Sequence, residues 1–396
     1  MKRIYMSILT ALLFCGIAEA RTWWVQKDGT GDFTVIQDAV DAAAAGDTIR
    51  IGPGRFYEGQ TVEFPNGSSI FTRVYIYHRE ITIIGSGAEH TFIGQAESWD
   101  VPQGDHKGIY AHSYQGVERV EVRNLCIENA REGIYSWGVE MDIEHCRFEA
   151  CDIAIMTLTH ASSGLYVSDS QFVELARDMM FIYTNWLALT RIENCVFTLG
   201  ESTWGRWHIG LNNVADAVIE GCEFLGGEMG VQLDQRTVAH IRRCIFDGQT
   251  FFGLHTVQAS TESYVEHCTF RNQRRAHLLS DPTVTHRATH CTFENISEAS
   301  YEIRGALSIQ VNNCDLGRGA QYTVMATYKW SAYQDPTSFD FTNNYWGTSD
   351  PDSIAAWIRD ANDTDETEYT ILFEPFRTDS TPTQRRSLSG VRRLFR

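Results

Sequence analysis

The chain reads as an all-β protein, a single-stranded parallel β-helix (a solenoid) with an N-terminal capping helix. Three observations predict this: a six-residue phrase recurring from Val122 to Trp346, a break in strand alternation inside each copy, and turn-forming residues at that break. The phrase runs aliphatic, two polar residues, a small residue that is usually Cys, any residue, then an aromatic or aliphatic. Ile143–Phe148, Ile192–Phe197 and Ile241–Phe246 are three copies. Its fourth position falls at Leu125, Cys146, Ser170, Cys195, Cys222, Cys244, Cys268, Cys291, Cys314 and Asn344, at intervals of 21 to 30 residues. A repeat that short cannot bury its apolar side alone and must stack on its neighbours.

The break explains the winding. A continuous strand would bury positions one, three and five, but here one, four and six are apolar or small, so the chain bends between one and four. The residues just before position four are Asn124, His145, Asp169, Asn194, Gly221, Arg243, His267, His290, Asn313 and Asn343. Apart from Arg243, these types enter the left-handed region at low cost. Each coil therefore turns a corner between two short strands at the same place, with coils spaced by roughly 4.8 Å. Helical repeats would need longer runs of 3.6-residue periodicity, which are missing here. Stacking predicts an internal ladder of Phe148, Phe172, Phe197, Phe224, Phe246, Phe270 and Phe293, with a ladder of thiols beside it.

At the start, residues 1–20 combine Lys2 and Arg3, an apolar run from Ile8 to Ile17, and Ala18-Glu19-Ala20. This pattern predicts a secretory signal peptide cleaved near Ala20, hence a secreted, periplasmic or cell-surface protein. No later segment is long and apolar enough to span a bilayer. The net charge is −18, and loss of Lys2, Arg3 and Glu19 makes the mature chain one charge more negative. So acidic a chain argues against a nucleic-acid partner, and no feature calls for more than a monomer. Seven of the nine mature cysteines occupy one column, where neighbours point in parallel, which is poor disulfide geometry. They are read as small core residues. Cys126 and Cys151 lie off the column, and the sequence leaves their oxidation open.

An open solenoid needs its ends covered. Ile36, Ala39, Val40 and Ala43 mark one face of a short helix within Thr34–Ala45, followed by a strand at Thr48–Ile51. The surrounding segment reads Asp-Gly-Thr-Gly-Asp-Phe-Thr-Val-Ile-Gln-Asp-Ala from Asp28, then Gly-Asp-Thr-Ile-Arg-Ile and Gly-Pro-Gly-Arg-Phe-Tyr-Glu up to Glu58. It resembles the opening of pectin-lyase-fold proteins, pectin methylesterases among them, where it forms a capping helix and first coil. Near the other end, Asn343-Asn344-Tyr345-Trp346-Gly347-Thr348-Ser349-Asp350-Pro351 resembles the closing coil of bacterial right-handed β-helix repeat proteins. A short helix around Ser353–Arg359 and a strand at Tyr369–Phe373 would cover the base. The resemblance implies a right-handed β-helix domain over residues 21–376, leaving 377–396 as a flexible basic tail.

Resemblance in fold does not carry activity. The Asp-Phe-Ile-Phe-Gly segment of pectin methylesterases is absent. So are the Asn-Thr-Asp, Asp-Asp and Arg-Ile-Lys signatures of polygalacturonases and the Asp-Pro-His-Asp motif of alginate epimerases. A pectate-lyase-type site is more variable in sequence and stays open.

Candidate site residues come from the strand after each phrase. Placing Ile134, Ile182, Leu211, Val231, Leu233, Leu254 and Leu278 inward leaves Tyr135, Trp137, Tyr183, Asn185, Asn212, Gln232, Asp234, Arg236, His255 and His277 outward. Aromatic faces pack on sugar rings while amides, carboxylates and guanidinium groups fix hydroxyls and acids, so this set suits a polysaccharide. Within it Asp234, Arg236 and His255 are the candidate reacting groups, for lyase or glycosidase chemistry, with His255 as general base. Tyr135, Trp137, Tyr183, Asn185, Asn212, Gln232 and His277 are the candidate substrate contacts. The rival reading is a non-enzymatic adhesive or structural protein that uses the solenoid as a rigid spacer. Trp204, Trp207 and His208 fall in a longer coil and are expected in a loop walling the groove. No cofactor is required. The acidic run Asp360–Glu366 has oxygen ligands for Ca²⁺ but lacks EF-hand spacing, and reads as a solvated turn.

Overall fold

A computed structural model of the chain describes residues 19–95, 106–114, 118–158, 163–175, 180–186, 189–200, 207–317, 321–327 and 338–380. The expected signal peptide, most of the basic tail and Trp204 lie outside them. The described residues form a parallel β-solenoid with three faces. Sheet A has 14 strands, sheet B has 10 and sheet C has 13. One coil shows the scheme. Arg119–Arg123 runs in sheet A, Cys126–Glu128 in sheet B and Glu132–Trp137 in sheet C, before Glu140–Glu144 returns to sheet A beside its predecessor. Among the described pairings only Gln60–Glu63 with Ser69–Tyr77 is antiparallel.

The corner between sheets A and B is built as the phrase requires. All ten residues from Asn124 to Asn343 have φ between 48° and 65°, Arg243 included. Position in the column thus overrides residue type. A second left-handed column at the B–C corner includes Asn129, Ala150, Glu174, Gly226, Gly248, Asn272, Asn295 and Gly317, which the sequence pattern did not reveal.

Inside the corner the column thiols are buried and free. Their S–H groups donate to carbonyls, as Cys195 does to Glu193 O at 3.3 Å. The polar members of the column are satisfied as well: Asn344 donates to Val311 O and Phe341 O and accepts from Cys314 N. Cys126 and Cys151, both buried, are also free thiols.

Beside them the seven phenylalanines stack without interruption, with centroids 4.5 to 5.2 Å apart and planes within 17° of parallel. Burial of each such ring stabilises the fold by about 1.5–3 kcal/mol. The facing sheet C column is small (Gly133, Ala154, Gly230, Gly253, Ala276) for a steric reason. A Cβ on Gly230 would come within 2.7 Å of the Phe246 ring.

His208 occupies this same column. It is wholly buried, 6.1 Å from Phe197 and 5.6 Å from Phe224 between ring centroids. It and Trp207 belong to the strand Trp207–Asn212 rather than to a projecting loop.

Both ends are closed. Helix α1 (Ile36–Ala42) buries Ile36, Ala39 and Val40 against the first strands. At the base, helix α2 (Pro351–Ala356) is N-capped by Asp350, which accepts from Ser353 N. Ile358–Arg359 and Thr370–Leu372 then extend sheets C and A.

Candidate functional site

The outer faces differ in chemistry. Sheet A carries ion pairs along its length, including Arg119 with Asp142, Arg191 with Asp216 at 3.0 Å and Arg242 with Glu266 at 3.5 Å. Sheet C presents rings and amides over its middle coils, with ion pairs at Lys107–Glu132 and, beyond His255, among Arg275, Glu302 and Arg304. Its register aligns Tyr75, Tyr110, Tyr135, Met156, Tyr183, Gly210, Gln232 and His255 in one outer column. The adjoining column reads Tyr77, His112, Trp137, Leu158, Asn185, Asn212 and Asp234. Alternation along each strand sends these residues out while Ile134, Ile182, Leu211 and Leu233 enter the core.

The aromatic end is continuous. Ring centroids are 5.4 Å apart for Tyr75–Tyr110, 5.2 Å for Tyr110–Tyr135 and 5.6 Å for Tyr77–His112. Beside Tyr135 lies a buried ion pair, Lys107 Nζ to Glu132 Oε2 at 2.8 Å, with the ammonium 4.3 Å from the tyrosine ring. Sequence reasoning missed Tyr75, Tyr77, Tyr110, His112 and Tyr114, which precede the first copy of the phrase. Alternation in Arg-Val-Tyr-Ile-Tyr and Gly-Ile-Tyr-Ala-His was the available signal.

The polar end gathers most of the predicted residues. Tyr183 is hydrogen-bonded by Asn212, and Asp234 by Gln232 and by Gln235 N at 2.8 Å. Burial raises the Asp234 carboxyl above the usual aspartate range, outweighing those hydrogen bonds. On the next coil His255 Nε2 meets Ser280 Oγ at 2.9 Å, while its Nδ1 is buried without a partner. Burial, helped by nearby Arg304, lowers the His255 pKa to about 4, so the ring is neutral at pH 7. Asn185 Oδ1 and Asn212 Oδ1 are also buried and unpartnered.

Two predicted residues sit elsewhere. The strand ends at Asp234, and Arg236 occupies the following turn at φ 58°, exposed and making no ion pair among the described residues. The expected alternation from Asp234 to Arg236 thus fails at the strand end.

His277 faces inward rather than outward. Its register partner is the core residue Leu254, and it is wholly buried among Phe270, Phe293, His286 and Tyr301. Leu278 takes the outward place over His255. The run His-Leu-Leu offers two leucines for one inward slot, so its pattern did not fix the register.

Two groups bear on metals. Glu144, His145 and Asp169 bring one ligand atom each to within 4.8 Å of one another at the A–B corner, but Glu144 is already 3.3 Å from Arg123. In the acidic run, the buried Asp360 accepts from Asn362 N and Ile371 N, both at 2.8 Å, so its carboxylate organises a turn. An open cleft of about 690 Å³ at the B–C corner is lined by Gln249, Asn272, Gln273, Asn295 and Glu298 among others, and by none of the predicted residues.

A family profile described as "Right handed beta helix region" matches residues 81–270 and 207–345. The chain belongs to the right-handed β-helix family. No curated protein matches it in sequence. Among solved structures it is similar to carrot pectin methylesterase, at 15% identity and a TM-score of 0.34 over 68% of this chain and 82% of that one. The catalytic domain of a GH87 α-1,3-glucanase, solved with nigerose, gives 11% identity and 0.47 over 82% of this chain and 63% of that one. The mannuronan C-5 epimerase A-module of Azotobacter vinelandii gives 13% and 0.37 over 87% and 95%. At such identities the likeness concerns fold, and the residue roles must come from this right-handed β-helix itself.

Proposed function

We propose that this β-helix protein is exported and binds polysaccharide along the outer face of sheet C. The supporting observation is the contrast between faces: charge pairs run along sheet A, whereas sheet C carries a continuous aromatic stretch at Tyr75, Tyr110 and Tyr135 and, beyond Met156, a stretch bearing amides, a carboxylate and an imidazole. Stacking on ring faces together with amide hydrogen bonds is the chemistry that sugar rings require.

In this reading Tyr135, Trp137 and Tyr183 stack on sugars, and Asn185, Asn212 and Gln232 bind hydroxyls. If the face is catalytic, the reaction is elimination or glycosidic hydrolysis centred on Asp234 and His255. The raised Asp234 carboxyl suits proton donation. The neutral His255, held by Ser280, suits proton acceptance. Arg236, exposed at the strand end, would meet an acidic group of the substrate.

The test is a screen of acidic and neutral polysaccharides for the ultraviolet absorbance of unsaturated sugars and for new reducing ends, with Asp234→Ala as control. Turnover abolished by that substitution supports catalysis at this site. Binding without turnover restricts the face to recognition, and neither binding nor turnover rejects the reading.

A further inference from the structure

The N-terminal end of sheet C contains a feature beyond the sequence-predicted residues. His112 is only 3% exposed, yet five aromatic side chains surround it within 6.2 Å between centroids: Tyr77, Tyr110, Tyr114, Trp137 and Phe64. Three of these are open to solvent at their outer edges: Tyr77 is 44% exposed, Tyr114 60% and Trp137 41%. The result is a cradle with exposed aromatic walls and an imidazole floor. The Nδ1 atom of that floor is buried and lacks a hydrogen-bond partner, an arrangement that ordinarily costs stability unless a ligand or water repays it. Burial, with His78 nearby, holds the His112 ring below its ordinary pKa and hence neutral at pH 7.

The electrostatics of the cradle select its occupant. The neighbouring carboxylate of Glu118 is held by His78 at 3.1 Å. At this end of the sheet the described cation–ring contacts fall on Phe71 and Tyr135, not on the cradle rings. Among the described residues no cation stacks on the cradle rings, whereas an uncharged ring offers C–H faces to aromatics and hydroxyls to the imidazole.

We infer that the cradle of Tyr77, His112, Tyr114 and Trp137 is a separate subsite for an uncharged sugar unit, and that it anchors a glycan lying along the solenoid axis toward Asp234. This rests on the proposed binding function of sheet C. Trp137, Leu158, Asn185, Asn212 and Asp234 occupy successive coils. Four coil steps of roughly 4.8 Å separate the two ends by about 19 Å. A glycan laid along that span with one unit per coil needs about five units to reach from one end to the other.

The experiment is calorimetric titration of the full chain with neutral gluco-oligosaccharides of two to eight units, in β-1,4, β-1,3 and α-1,3 linkage, and with oligogalacturonides of matching length. One neutral series should bind, with affinity rising up to about five units, as the coil spacing sets. Trp137→Ala and Tyr114→Ala should each weaken the longer neutral ligands about tenfold. Trp24→Ala, equally exposed but on sheet A, should leave binding unchanged, which controls for folding and non-specific stacking. Unchanged affinity in both cradle variants, with loss in Asp234→Ala or Tyr183→Ala, overturns the cradle while sparing the face. Binding of oligogalacturonides alone also overturns it. No binding by any series rejects the cradle and the wider reading together.

Discussion

Phe246 and Phe270 lie one coil apart with ring centroids 4.6 Å apart and planes only 6° from parallel. Each ring is sandwiched, because Phe224 and Phe293 continue the stack on either side. Phe246→Ala would open a cavity that β-strands on both sides cannot close. The expected loss is about 3–5 kcal/mol in denaturant unfolding, and Phe246→Leu should cost much less. Equal effects would show that packing of the stack does not determine stability.

A second prediction concerns acid. Burial lowers the pKa of His208 and His286 to about 3, of His255 to about 4, and of His277 well below the ordinary value. In the unfolded chain all four titrate near pH 6.5. Below that value the unfolded state takes up protons that the folded state refuses. Stability is therefore full above about pH 6.5 and falls as the pH drops, by about 1.4 kcal/mol per unit for each histidine well below its unfolded pKa. Unfolding midpoints measured between pH 7.5 and 5 should decline, and His286→Phe should flatten the slope. A pH-independent midpoint would contradict this.

The thiols give a third. All nine cysteines among the described residues are buried and free. Burial pushes Cys146 and Cys151 up to about 12. Native protein should scarcely react with a thiol reagent at pH 8, and a denatured chain starting at Arg21, and so lacking Cys15, should titrate nine thiols. A count of seven would reveal one disulfide and contradict the free thiols.

The Lys107–Glu132 pair supplies a fourth. Both side chains are nearly inaccessible, at 3% and 7%. Glu132→Leu alone removes the carboxylate that faces a buried ammonium, at a cost of about 3–5 kcal/mol. Adding Lys107→Met should recover most of that loss, which a double-mutant cycle measures. Equal losses in the single and double variants would assign the cost to packing instead.

Fold was more legible than site because the two are recorded differently in the chain. The fold is written many times over: the turn before Cys195 recurs before Cys244, and position alone places Arg243 in the left-handed region. A binding face is written once. Tyr77 and His112 escaped notice because their coils precede the repeated phrase, although the strand holding Tyr77 alternates cleanly. His277 was misplaced because two adjacent leucines compete for one inward slot. Arg236 was misplaced because strand ends leave no mark in alternation. Periodicity reports what stacks inside, and it is silent on which outward residues cooperate.

The most direct test is footprinting of aromatic side chains by hydroxyl radicals, with and without a polysaccharide that binds. The account predicts protection of Tyr77, Trp137 and Tyr183 on sheet C, while Tyr166 and Tyr264 on sheet A react unchanged. Protection confined to sheet A, or spread evenly over both faces, would contradict it.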